Sequence, residues 1–146
     1  MNIYDIHMNT GLPVFVQHIP QNCQLENFIL LLTKKGSKIG HYILVFRNKD
    51  GLISLFEPYG NTPKGLSKFK FLPSGLKRYL IKIADKKPIE FSEFPIQRLG
   101  ENSKVCGELC CLRWLFRGMS NEEFGRLFMN HSDDEIRKVF THYFKR

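Results

Sequence analysis

Apolar residues follow two periods along this chain: short dense blocks in the first half, and recurrences every three or four residues in the second. The blocks predict strands and the recurrences predict helices. Val14-Phe15-Val16, bounded by Pro13 and Pro20, reads as a short strand, and Phe28 to Thr33 as a buried strand ending at Lys34-Lys35-Gly36. The clearest unit is a hairpin, with Tyr42 to Arg47 and Leu52 to Glu57 around Asn48-Lys49-Asp50-Gly51. A type I turn followed by a left-handed glycine gives a three-residue connection in which Asn48 faces Leu52. Under that register His41 faces Tyr59 if pairing extends so far, and Glu57 is its diagonal neighbour on the same side. An even-length loop sends the two to opposite faces. The first 25 residues otherwise show no clear period.

Leu76, Tyr79, Leu80 and Ile83, behind the candidate cap Ser74, predict an amphipathic helix, and Ile89 with Phe91 a strand ending near Pro95. Leu109, Leu112, Leu115 and Phe116 set a core-facing helix that begins at Cys106, with Asn102 or Ser103 as cap and Gly118 as stop. Ser120 with Glu123, and Ser132 with Glu135, are capping boxes. The last helix is expected to turn Ile136, Val139, Phe140 and Tyr143 inward. Strands and one helix followed by a helical carboxyl-terminal third make an α+β pattern. With no repeat, low-complexity tract or long linker, residues 1–146 read as a single domain.

Composition narrows the class. Hydrophobic residues at 42% with 13% aromatics support a packed core and exclude a disordered or fibrous chain. The longest aliphatic stretch, Phe28 to Leu32, is too short to cross a bilayer, and no basic patch precedes an apolar run at Met1 to His7. The expectation is an intracellular protein with no membrane role. Cys106, Cys110 and Cys111 crowd one predicted helix with only Cys23 elsewhere, which is not a disulfide framework. Cys106 and Cys110 share a helical face, but no paired histidine or second Cys-x-x-Cys accompanies them, so no metal is expected. The net charge of +8 is uneven: Lys64, Lys68, Lys70, Lys77, Arg78, Lys82, Lys86 and Lys87 are opposed within their span only by Asp85. That block reads equally as a phosphate-neutralising surface and as a solvated helix face.

Cysteine where a polar loop meets a helix has a chemical use, because free amides and the positive end of the helix dipole favour a thiolate. A thiolate nucleophile also needs a base, a group that orients the base, and donors for the oxyanion. His41 suits the base. Glu57 suits the orienting acid, and Pro58 restricts its backbone to an extended form. The oxyanion donors are the Cys106 backbone amide and the side-chain amide of Gln97, with Asn102 as the alternative. Singly, each residue has an ordinary reading: a histidine that hydrogen-bonds locally, a turn glutamate before proline, a small buried cysteine of the kind Cys110 and Cys111 are taken to be. Their conjunction points to a cysteine hydrolase.

Gly40-His41-Tyr42, Phe56-Glu57-Pro58-Tyr59-Gly60 and Val105-Cys106-Gly107-Glu108-Leu109-Cys110-Cys111 resemble, in that order, the three blocks of the adenain family of viral maturation proteases. Its wider clan includes SUMO-deconjugating proteases and proteases of virophages and Polinton-type elements. The resemblance spans Phe28 to Phe116, with Tyr42 where tryptophan is usual. It implies a papain-like core with a mixed sheet flanked by helices, a catalytic His41, Glu57 and Cys106, and an oxyanion hole at Gln97 and Cys106. It also implies cleavage after small residues, within Gly-containing sites of capsid or other structural precursors. No cofactor is implied for the chemistry, but stimulation by DNA and by a substrate-derived peptide is. The resulting expectation is a monomeric thiol endopeptidase of a DNA virus or virus-like element, acting in the virion and in the host cytoplasm or nucleus. Viral structural precursors would be its substrates, and DNA would bind through the Lys64 to Lys87 block. Two other readings stand beside it: a ubiquitin-like deconjugating protease, and a non-catalytic basic module that binds nucleic acid.

Overall fold

The computed structural model describes residues 1–33, 40–58, 75–92, 96 and 105–144. Within them five strands form one sheet in chain order: β1 (Val14–Val16), β2 (Phe28–Thr33), β3 (Gly40–Arg47), β4 (Ile53–Phe56) and β5 (Glu90–Phe91). The central three are antiparallel, β1 is parallel to β2, and β5 is parallel to β4, so the sheet is mixed. Helices α1 (Ile3–Thr10), α2 (Leu76–Ala84), α3 (Cys106–Leu115), α4 (Asn121–Phe128) and α5 (Asp133–Tyr143) flank it. The architecture is α+β, as the residue pattern predicts.

The hairpin follows the expected turn. Gly51 has φ 76° and donates its N–H to the Asn48 carbonyl at 3.0 Å, while the Asn48 N–H reaches the Leu52 carbonyl at 2.7 Å. The ladder then runs from Arg47 opposite Ile53 to Leu44 opposite Phe56. Side chains alternate between two cores, as strand geometry requires. Tyr42, Leu44, Phe46 and Phe56 pack against α1, α3, α4 and α5. Ile43, Val45, Ile53 and Leu55 pack with Phe28, Leu30 and Leu32 against Leu76, Leu80 and Ala84 of α2.

Helix α3 is covered on every side, and its residues from Gly107 to Arg113 are all buried. It lies along β3, with α1 and α5 packed on it. Gly107 permits the approach of α1, since a Cβ there would stand 3.2 Å from Ile6 Cδ1 and 3.3 Å from Met1 Cβ. Helix α1 itself was not legible as a pattern, although its punctuation is in the sequence: Asn2 caps the Asp5 N–H at 2.9 Å, and Gly11 closes it.

Several expected boundaries differ. Helix α2 follows Gly75 and α3 follows Val105, neither with a side-chain cap, while Ser74, Asn102, Ser103 and Pro95 lie outside the described residues. Gly118 does not stop α3, which ends at Leu115. The reason is Arg113, fully buried, whose guanidinium donates to the Phe116 carbonyl at 2.9 Å, the Met119 carbonyl at 2.7 Å and Asn121 Oδ1 at 2.9 Å. Those bonds gather the carbonyls past the last helical turn and fold the chain into α4. Leu115 and Tyr143, expected in the core, are 40% and 51% exposed, and Tyr143 covers the Phe116 ring edge-on at 5.1 Å. Both capping boxes, at Ser120 and Ser132, are formed.

Arg113 also lies 4.8 Å over the Phe46 ring and 3.9 Å from Glu90, and burial lowers its pKa to about 10 against the pull of Glu90. Removing one partner from such a buried polar network typically costs about 3 to 5 kcal/mol. Arg113→Ala is expected to lose that much in urea unfolding. A loss below about 1 kcal/mol, the worth of an exposed ion pair, would show that the guanidinium is not an anchor.

Candidate active site

The hairpin register, continued one step past β4, sets Glu57 opposite Ile43 and so diagonal to His41. The two side chains meet: His41 Nε2 is bonded to Glu57 Oε1. Glu57 is fully buried and His41 nearly so. Glu57 lies one residue past the end of β4. The Ser92 hydroxyl accepts the Glu57 N–H at 2.8 Å and donates to the Glu57 carbonyl at 2.9 Å. One residue on, the Pro58 carbonyl accepts the Ile96 N–H at 2.8 Å.

Cys106 is the first residue of α3 and is half-buried, whereas Cys110 and Cys111 are sealed in the core. The Cys110 thiol faces the Tyr42 carbonyl at 3.5 Å, so α3 is seated on β3 beside His41. Cys106 hydrogen-bonds the His41 ring. With Nε2 committed to Glu57, the nitrogen left for sulfur is Nδ1. The site is therefore a continuous chain of carboxylate, imidazole and thiol.

Burial removes two of the helix cysteines from consideration as nucleophiles. Burial pushes the Cys110 thiol well above its usual range and the Cys111 thiol to about 12, the latter with help from Glu108. Neither can supply a thiolate at neutral pH. For His41, burial alone would favour the neutral ring, but the hydrogen bonds to Cys106 and Glu57 and the charges on both outweigh it and raise its pKa to about 9. The ring is an imidazolium at neutral pH.

Beside His41, Gly40 and Tyr42 help line an open groove of about 400 Å³ with Leu31, Val16 and Met1 to Ile3, a mostly apolar wall. The Tyr42 hydroxyl donates to the Met1 carbonyl at 3.1 Å, which ties the start of the chain to the strand carrying His41.

His41, Glu57 and Cys106 are thus brought together. Gln97, Asn102, Tyr59, Lys64, Lys68 and Lys70 lie outside the described residues. Of the basic block, Lys77, Arg78, Lys82, Lys86 and Lys87 are exposed on and after α2. Among the described residues no cluster of His, Cys, Asp and Glu is able to hold a metal ion, and no helix is long and apolar enough to cross a membrane. Ser92 was missed because nothing along the chain marks it. It matters only through the parallel pairing of β5 with β4, which no local pattern encodes.

No family model matches the chain. It is similar to "Uncharacterized protein V9" of Sputnik virophage, with 27% identity over 104 residues that cover 65% of this chain and 58% of the virophage protein. The chain thus spans under two thirds of that relative's length.

The raised His41 pKa predicts a specific pH dependence of stability. Below about pH 6.5 the ring is charged in both folded and unfolded chains, and its contribution, on the order of 3 kcal/mol, is complete. As pH rises toward 9 the unfolded ring releases a proton that the folded ring retains, and the contribution disappears. Urea unfolding of the wild type between about pH 6 and 10 should lose stability relative to His41→Gln. Parallel curves for the two proteins would contradict a raised pKa.

Proposed function

We propose that the chain is a cysteine endopeptidase with Cys106 as nucleophile, His41 as acid and base, and Glu57 as the group that orients and charges His41. The observation that carries this reading is the Glu57-His41-Cys106 hydrogen-bonded chain ending at the first residue of a helix. The Cys106 sulfur attacks the scissile carbonyl as a thiolate and forms the tetrahedral adduct. The imidazolium of His41 gives its proton to the leaving amine, leaving a thioester on Cys106. His41 then takes a proton from water, which attacks the thioester and releases the acid. The oxyanion is met by the Cys106 amide, one of the helix-start N–H groups without an intrahelical acceptor, and by Gln97 as second donor.

The order of the three motif blocks supports a papain-like core of the adenain type. The similarity to a virophage protein supports a viral source. The resemblance of the motif blocks is the ground for taking capsid or other structural precursors as substrates, cut at Gly-containing sites. The groove beside Gly40 and Tyr42 gives an extended substrate segment a place to lie. The exposed basic residues of α2 support a DNA contact that brings the enzyme to packaged nucleic acid.

On a Gly-containing peptide substrate, Cys106→Ala and His41→Ala should each lower kcat on the order of 10⁴-fold while the far-UV circular dichroism stays unchanged. Turnover retained in Cys106→Ala removes the mechanism. SUMO and ubiquitin conjugates run beside the peptide decide the substrate class, and cleavage of those alone favours deconjugation. The wild-type rate should fall on an alkaline limb near pH 9, where His41 loses its proton.

DNA binding should weaken steeply with salt, and Lys77→Glu with Lys82→Glu should flatten the slope of log K against log salt by about two units. An unchanged slope would move the DNA contact off α2.

A further inference from the structure

We propose that Ser92 is a positioning residue for this active site: its hydroxyl brackets the main chain of Glu57 and so fixes the carboxylate against His41. The inference rests on the protease reading for its kinetic consequences but on geometry alone for its physical claim. Among the described residues strand β5 pairs Glu90 and Phe91 with β4, and the Ser92 N–H reaches the Leu55 carbonyl at 3.2 Å. In a longer parallel ladder the N–H and carbonyl of Glu57 would next be met by main-chain groups of the neighbouring strand. Here both are met by one side-chain oxygen, at 2.8 and 2.9 Å, and Ser92 is 3% exposed. Water is therefore not at hand to replace it.

The bracket acts one residue past the end of β4, and losing the Ser92 hydroxyl removes a hydrogen bond from both the N–H and the carbonyl of a buried peptide. Any relaxation that finds those groups new partners rotates the Glu57 backbone and carries the carboxylate with it. The hydroxyl is thus directed at the one residue whose side chain orients the base, and it touches neither His41 nor Cys106. Ser54 is a control for ordinary structural loss. It is also fully buried, three residues before Glu57, and its hydroxyl donates to Glu90 Oε1 at 2.7 Å.

The test compares Ser92→Ala, Ser92→Thr and Ser54→Ala in the full chain. It measures kcat and KM on the peptide substrate, together with the midpoint of the His41 ring titration by NMR. For Ser92→Ala the expectation is a fall in kcat of about 10- to 100-fold with KM within about twofold, the signature of lost orientation rather than lost binding. The His41 midpoint should move down by about one pH unit or more, because the imidazolium loses a firmly held carboxylate. Ser92→Thr, which keeps the hydroxyl, should restore both. Ser54→Ala should lower the melting temperature and move neither. Wild-type kcat and midpoint in Ser92→Ala overturn the proposal, as does a loss matched by Ser54→Ala. If Ser92→Ala does not fold, Ser92→Cys replaces it: a midpoint below that of Ser92→Thr supports the bracket, and equal midpoints overturn it. The titration needs no turnover. A wild type that cleaves nothing removes the protease reading and leaves the positioning claim to the NMR result.

Discussion

The left-handed conformation of Gly51 decides whether His41 and Glu57 can meet. In a β-hairpin the parity of the connection fixes which side chains share a face, and a slip of one residue exchanges every one of them. The connection here has three residues, closed by the Gly51 N–H on the Asn48 carbonyl, and the Asn48 side chain also accepts the N–H groups of Asp50 and Leu52. From that closure the ladder runs toward the chemical end of the sheet, and Glu57 arrives on the same side as His41. Hydrophobic burial enforces the same choice. A slip would turn Ile43 and Val45 away from α2 and Leu44 and Phe46 away from α3, emptying two cores at once.

The second constraint is helix α3, which joins the two ends of the site. At its start Cys106 reaches His41, and at its end Arg113 gathers the turn into α4 and contacts Glu90. Glu90 belongs to β5, whose pairing with β4 leads to Ser92 and its hydrogen bonds to Glu57. Cys106, His41 and Glu57 are thus held by one connected frame: α3 packed on β3, β3 paired with β4, β4 paired with β5, and β5 tied back to α3 through Arg113. Such a frame fixes the relative orientation of the three side chains.

How much of this the residues announce depends on the range of the interaction. The hairpin, β1 and β2, the body of α2 and both capping boxes follow from contacts within about ten residues, and local chemistry dictates them. So does the meeting of His41 with Glu57, because the turn sets the register. Helix α1 escaped because its apolar residues make no clear stripe: only Ile6 is buried, while Tyr4 and Met8 face outward. The end of α3 was misplaced because the signal for it is the side chain of Arg113, whose targets lie three to eight residues ahead, not Gly118. Exposure of Leu115 follows from the same cause, since the chain leaves the helix before that face is covered. The bracket by Ser92 depends on a parallel pairing between strands 36 residues apart, which no periodicity can express.

Buried polarity along α3 separates chemistry from scaffold. Among the described residues four charged or chargeable side chains lie deep beside this helix: Glu57, His41, Glu108 and Arg113. Each guanidinium nitrogen of Arg113 donates a hydrogen bond and the group stacks on Phe46, the usual condition for a structural buried charge. Glu108 is less well served, with Oε1 unpartnered and Oε2 3.7 Å from the Arg137 guanidinium, and its position in the first turn lets the helix dipole offset part of the cost. His41 and Glu57 are different again. They are mutually paired and stand beside a half-buried thiol, an arrangement that packing alone would replace with apolar residues of similar size. A buried acid-base pair that touches a half-buried sulfur at a helix start has little to contribute to stability that leucines would not contribute better. It is the arrangement that the proposed thiol chemistry would use.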